Sequence, residues 1–159
     1  INDPKSLSIR ENTLIAIRRG MFNVLNEKEG TAFNFRTTDE NFLIAGKTGT
    51  SQVRRITREE REEGVIKNED LPWKMRDHAL FTCFAPYKNP KYALSVVVEH
   101  GGSGSKVAAP IARDIMLFQL YKGIPPVTAY PEKQRLEIRS RLIDIEKKIN
   151  LKTDINRNI

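Results

Sequence analysis

The sequence predicts a mixed α/β (α+β) fold, an antiparallel sheet of at least three strands with helices packed against it. Three observations carry that reading. Two β-rich segments, residues 79–86 and 91–99, are joined by the turn-rich Pro86-Tyr87-Lys88-Asn89-Pro90, a spacing that favours an antiparallel hairpin. A third β-rich stretch, Phe42 to Val53, precedes them. Helical periodicity then brackets the strands on both sides.

Residues 10–27 read as a helix in which Ile9, Leu14, Ile17, Met21, Val24 and Leu25 recur at three- and four-residue steps and form one apolar face. Gly30-Thr31-Ala32 marks a turn. Phe42-Leu43-Ile44-Ala45 runs on into Gly46-Lys47-Thr48-Gly49-Thr50-Ser51-Gln52-Val53 as a single strand. Residues 54–76 are a charged surface insertion with a short helix from Thr57 to Glu63.

After the hairpin, Gly101-Gly102-Ser103-Gly104 turns the chain into a helix around residues 106–121, with Pro110 tolerated near its first turn. Ile111, Ile115, Leu117 and Phe118 form the apolar face expected of it. Gly123 and Pro125-Pro126 stop it. In residues 131–149, Ile138, Leu142, Ile145 and Ile149 are spaced four, three and four apart. Two heptads are too few for a coiled coil, so an amphipathic helix lying back on the domain is expected. The chain thus divides into residues 1–123 and a charged, helical tail, residues 124–159.

Its 159 residues suffice for one domain with a real core. The longest apolar run, Ala93 to Val98, is interrupted by Ser95 and far too short to span a bilayer. A net charge of +7 raises the question of nucleic acid, but the most charged stretch, residues 51–78, balances seven basic against seven acidic side chains. The excess lies after residue 121, where nine Lys/Arg face five Asp/Glu, and a solvated face explains it without a nucleic-acid partner. Cys83 sits in an apolar stretch and reads as a buried small hydrophobe. Together with His78 and His100 it shows no metal-ligand spacing, and no cofactor is expected. His78 is expected to fix the loop before its strand, His100 to be a solvent-exposed turn residue, and Trp73 to pack. The run Glu59, Glu60, Glu62 and Glu63 reads as a wet face.

Lys47-Thr48-Gly49 is the tripeptide shared by β-lactamases and penicillin-binding proteins. Alone it is a weak signal; an apolar entry, a strand and a second hydroxyl at Thr50 strengthen it. Alternation places Lys47 and Gly49 on one face and Thr48 and Thr50 on the other, so twist or a bulge must help both serve one cleft. Gly49 lets a substrate backbone approach, a strand edge can pair with an extended peptide, and hydroxyls beside a lysine can hold a carboxylate.

Around this motif the sequence resembles class B penicillin-binding proteins over roughly residues 9–122. Gly20-Met21, Val24, Asn26 and Gly30-Thr31-Ala32 are similar to the segment preceding the Lys-Thr-Gly strand in that family. Arg76-Asp77-His78-Ala79-Leu80-Phe81, Phe84-Ala85-Pro86-Tyr87 and Val96-Val97-Val98-Glu99-His100-Gly101-Gly102 resemble the segments that follow it in the rod-elongation branch.

The resemblance implies the C-terminal portion of a β-lactamase/transpeptidase-like domain. It also implies a serine D,D-transpeptidase that cross-links peptidoglycan stem peptides in cell elongation and is acylated by β-lactams. Lys47 would shape the site's electrostatics, Thr48, Gly49 and Thr50 would bind substrate, and the Thr50 backbone N–H would serve as an oxyanion donor. Expected partners are stem peptides, β-lactams and, through the parent, a membrane-embedded glycan polymerase and elongation complex. The expected location is the periplasmic face of the inner membrane, with an anchor upstream of this chain. A β-lactam-sensing or scaffold domain is the alternative, and a serine β-lactamase a weaker one.

The family also needs Ser-x-x-Lys and Ser-x-Asn upstream. No Ser-x-Asn occurs here, and the one Ser-x-x-Lys, Ser103-Gly104-Ser105-Lys106, follows the third strand in a Gly-rich turn and reads as a decoy. No nucleophile is assigned in this chain, which alone should be inactive and form no penicillin adduct.

Overall fold

The computed structural model describes residues 8–157. Three strands, β1 (Ala45–Ser51), β2 (His78–Ala85) and β3 (Tyr92–Val98), form one antiparallel sheet in the order β1-β2-β3. The expected hairpin is therefore present, and β2 is its central strand. Register pairs Lys47 with Thr82 and Gly49 with Leu80 on one side of β2, and Thr82 with Ser95 on the other. The Thr82 and Ser95 hydroxyls also bond across the strands at 2.9 Å.

Alternation along β2 buries Ala79, Phe81, Cys83 and Ala85. They join Leu25, Ala32, Ile44, Ala108, Ala109, Ala112 and Met116 in the main core. Burial pushes the Cys83 thiol up to about 12, which keeps it protonated and inert, as expected of a core cysteine.

Helix α1 (Glu11–Asn26) lies where periodicity places it, but its apolar face is not uniformly covered. Leu25 is buried and Met21 and Val24 are half-buried, whereas Ile9, Leu14 and Ile17 are exposed, Ile17 by 50%. Its last turns carry the buried contacts, and the Asn26 amide donates to the Ile44 carbonyl at 3.0 Å.

The stretch read as one strand from Phe42 to Val53 is shorter. Glu40–Phe42 is a 3-10 turn capped by the Asp39 carboxylate, which accepts the Asn41 N–H. At the other end Val53 has left the ladder, its N–H directed to Asp77 at 3.4 Å. The short helix α2 (Arg58–Glu63) is as predicted and begins with a reciprocal cap between Thr57 and Glu60.

A π-helical turn, Gly104–Ala108, leads into α3 (Ala109–Tyr121), with Pro110 in its first turn. Here the expected face is largely corrected. Leu117 is buried, but Ile111, Ile115 and Phe118 are exposed, while Ala109, Ala112, Arg113 and Met116 face inward. Small side chains let the helix axis approach the sheet closely, and that requirement outweighs the greater hydrophobicity of the opposite face. Arg113, only 2% exposed, donates to Asp114 and Gln134 and stacks over Tyr130.

The chain beyond α3 returns to the domain. Ala129, Tyr130 and Ile138 close a second core with Leu117. Helix α4 (Arg135–Arg157) packs through Ile138 and, partly, Leu142, after which Ile145 and Ile149 are exposed. The amphipathic seam is thus used at its beginning.

Candidate active site

Strand β1 is an edge strand, so one of its two hydrogen-bonding sides faces no other strand among the described residues. Its register sets the faces: Lys47 and Gly49 lie with Thr82 and Leu80, and Gly46, Thr48 and Thr50 with Cys83, Phe81 and Ala79. The four expected site residues therefore begin on opposite faces. The Lys47 side chain folds along the strand and reaches one residue of the other face, Thr48. Its ammonium donates to the Thr48 carbonyl at 2.8 Å and lies 3.4 Å from the Thr48 hydroxyl. No bulge is needed.

Thr48 is also held from behind. Its hydroxyl lies 3.1 Å from that of Thr31, in the turn after α1. Gly30 makes that turn possible by resting on the end of α1, where an added Cβ would come within 2.3 Å of the Asn23 carbonyl oxygen. The sequence shows residues 30–32 as a turn and as part of the resemblance around the motif, but not the bond from Thr31 to Thr48. A contact across 17 positions leaves no periodic signal, and only the polar Thr31 between two small residues hinted at it.

Gly49 has a structural reason for lacking a side chain besides any approach of substrate. A Cβ there would lie 3.2 Å from that of Leu80, and Gly104 packs so closely beneath that its own Cβ would be 2.3 Å from the Gly49 carbonyl oxygen. The π-helical turn thus supports the strand at its motif glycine. Gly46 is covered by the Phe81 ring in the same way.

The Ser-x-x-Lys tetrapeptide is built as a turn. The Ser103 Oγ accepts the Lys106 N–H at 3.3 Å and lies 3.2 Å from Ser105 Oγ. The residue capping this turn is committed to the backbone.

Asp77, given no role by the sequence beyond its place in the resemblance, is the hub at the far end of β1. Its carboxylate accepts the Val53 N–H and the Asn68 amide, and its carbonyl accepts the Gly102 N–H at 2.8 Å. His78 fixes this region as expected, its Nδ1 accepting the His100 N–H at 2.9 Å. His100 is not the solvent-exposed residue expected: it is half-buried, bonded through Nδ1 to the Arg76 carbonyl and set between His78 and Trp73. Trp73 meets His100 edge-on but remains 57% exposed, so packing describes it only in part. Of the acidic run, Glu59, Glu62 and Glu63 are exposed, while Glu60 is taken up by Arg54 and the α2 cap.

A lysine–threonine–glycine strand on an open sheet edge, with helices behind it, is the arrangement the sequence led one to expect. The transpeptidase family, described as the penicillin binding protein transpeptidase domain, matches residues 2–117. The chain belongs to that family.

Its relatives include the peptidoglycan D,D-transpeptidase MrdA of Haemophilus influenzae, 38% identical over 125 residues, 77% of this chain and 18% of that protein. The enzyme of the same name from Salmonella typhimurium is 40% identical over 100 residues, 63% of this chain and 15% of that protein. Among solved structures, a complex between the penicillin-binding protein PBP2 and MreC from Helicobacter pylori matches with a TM-score of 0.55 and 36% identity. It aligns with 74% of this chain, which covers 18% of the solved one. Pseudomonas aeruginosa PBP2 in complex with WCK 5153 matches with a TM-score of 0.52 and 33% identity, over 80% of this chain and 24% of the other. This chain therefore spans about a fifth of the length of these relatives.

Proposed function

We propose that this chain forms one wall of the active-site cleft of a peptidoglycan D,D-transpeptidase of the elongation type. The observation that carries the reading is the open edge of β1, where Lys47 and Thr48 converge within 3.4 Å in a chain of this family. A substrate peptide adds to this edge as a further strand, its main chain paired with β1. The hydroxyls of Thr48 and Thr50 hold its terminal carboxylate, and the Lys47 ammonium provides the countercharge. The Thr50 backbone N–H donates to the carbonyl oxygen as negative charge develops there. The nucleophilic serine belongs to a part of the full-length protein outside this chain; Ser103, committed to its turn, is not that serine.

The peptide is attacked at its scissile carbonyl, the terminal amino acid leaves, and the acyl-enzyme passes to the amine of a second stem peptide. β-Lactams acylate the same serine. The proposed cell-wall substrate supports a reaction at the periplasmic face of the inner membrane, and the solved complex of PBP2 with MreC supports assembly of the parent with a partner of that kind.

The test is fluorescent-penicillin labelling of the full-length protein and its Lys47→Ala and Thr50→Pro variants, the latter removing the proposed oxyanion donor. Each should slow acylation by about 100-fold or more, the effect of losing one preorganised electrostatic group. Labelling at the wild-type rate in both folded variants rejects the assignment.

A further inference from the structure

The insertion between β1 and β2 has a fixed frame. Arg54 holds both Glu60 carboxylate oxygens, at 2.8 and 2.7 Å, Thr57 and Glu60 cap α2 reciprocally, and Asp77 clasps Val53 and Asn68. On this frame Arg55, Arg58 and Arg61 line a concavity of about 690 Å³ together with Gln52, Thr57 and Glu59. Three arginines thus line the space against one glutamate. Glu59 is itself held below the usual carboxylate range by its own backbone N–H and by the Thr57 hydroxyl. Arg58 pairs with Glu62 at 3.0 Å, which leaves Arg55 and Arg61 to dominate the field.

The position of this concavity gives it meaning. Gln52, one of its lining residues, directly follows Ser51, the last residue of β1. The concavity thus begins one residue beyond the C-terminal end of the strand.

We propose that this concavity is an anion subsite that receives a free side-chain carboxylate of the peptide held along β1. The proposal rests on the reading that the β1 edge binds a peptide substrate, and it adds the class of peptide: one with a negative charge beyond the segment paired with the strand. Guanidinium forks match a carboxylate in plane and charge. The arginines are exposed, so the attraction is screened by salt over about 8–10 Å. A β-lactam, held at Lys47 to Thr50, stops short of the subsite and reports on the cleft alone.

The experiment uses the full-length protein and two synthetic stem peptides that differ only in whether one side-chain carboxylate is free or amidated. The Arg55→Gln/Arg61→Gln variant should raise KM for the acid peptide about fivefold, as expected for two exposed charge pairs. The amidated peptide should show no such rise, and on the order of 0.5 M salt should erase the difference. The Arg55→Lys/Arg61→Lys variant should restore most of the affinity. An unchanged KM for the acid peptide, or an equal rise for both peptides, overturns the subsite. So does loss of binding to anionic phosphatidylglycerol vesicles with KM unchanged, which makes the patch a membrane contact. If the wild-type protein neither turns over peptide nor reacts with penicillin, the transpeptidase reading fails first; penicillin labelling without any effect of the arginines removes the subsite only.

Discussion

The hydroxyls of Thr31 and Thr48 lie 3.1 Å apart and join the turn behind α1 to the strand that carries Lys47. The bond sets the rotamer of the threonine nearest the lysine. Thr31→Val keeps the side chain's shape and removes the bond, so it should cost about 0.5–1 kcal/mol. Urea unfolding measures that cost. Penicillin acylation of the full-length variant should slow with it, because Thr48 is then free to turn.

Glycine at two positions should behave in opposite ways. At Gly104 an added methyl meets the Gly49 and Leu80 carbonyl oxygens at 2.3 and 2.5 Å, so Gly104→Ala must displace backbone and should cost about 3 kcal/mol. At Gly20, inside α1 with nothing within 4 Å of a new Cβ, Gly20→Ala should stabilise by about 0.5–1 kcal/mol. Denaturation midpoints that move in the same direction would contradict this account of the packing.

Tyr121 donates its hydroxyl to Asp39, which lowers the Asp39 carboxyl below its ordinary value, while burial and then Asp39 push Tyr121 up to about 12. The depressed carboxyl adds stability above the ordinary carboxylate range, and that part is lost as pH falls through its folded value. The raised phenol adds stability below its unfolded value, and that part is lost as pH rises through about 12. The stability difference between wild type and Tyr121→Phe should thus be constant near neutrality and shrink below about pH 4 and above about pH 10. A difference that grows at either extreme rejects the linkage.

Glu60→Gln loses the ion pair to Arg54 and weakens the α2 cap. The change is confined to a surface element, so the global melting temperature should hardly move. Amide exchange across residues 54–63 should quicken several-fold, while exchange in β2 stays as it was.

Ser103→Ala in the full-length protein should retain penicillin labelling and lose about 1 kcal/mol from the lost turn cap. The chain by itself should give no acyl adduct by mass spectrometry. An adduct on Ser103 would make that serine a nucleophile and reverse the reading of the motif.

Local signals carried most of what the sequence revealed. The short helix from Thr57 to Glu63 was legible in its run of charged helix formers, whereas the reciprocal Thr57–Glu60 cap that starts it emerged only in the structure. The hairpin and the motif strand were legible from local signals too. The α3 face was misread because the helix has two apolar sides. Hydrophobicity favours Ile111, Ile115 and Phe118, but closeness to the sheet selects Ala109, Ala112 and Met116. At the site, Lys47, Thr48, Gly49 and Thr50 were visible as a motif. The folding of Lys47 along the strand, the Thr31 bond and the Asp77 clasp were not, since each depends on tertiary placement rather than spacing.

The open side of β1 has a cost in crowding. A strand ready to accept a peptide is equally ready to accept another β1, and two copies meeting edge to edge about a two-fold axis would extend both sheets. Lys47 opposes that encounter: antiparallel registers that set the two ammonium groups near each other are disfavoured by their repulsion, whereas a peptide bearing a carboxylate is attracted. The residue proposed to hold substrate thus also insulates the strand against self-pairing, and its replacement by a neutral side chain should lower the protein concentration at which copies associate.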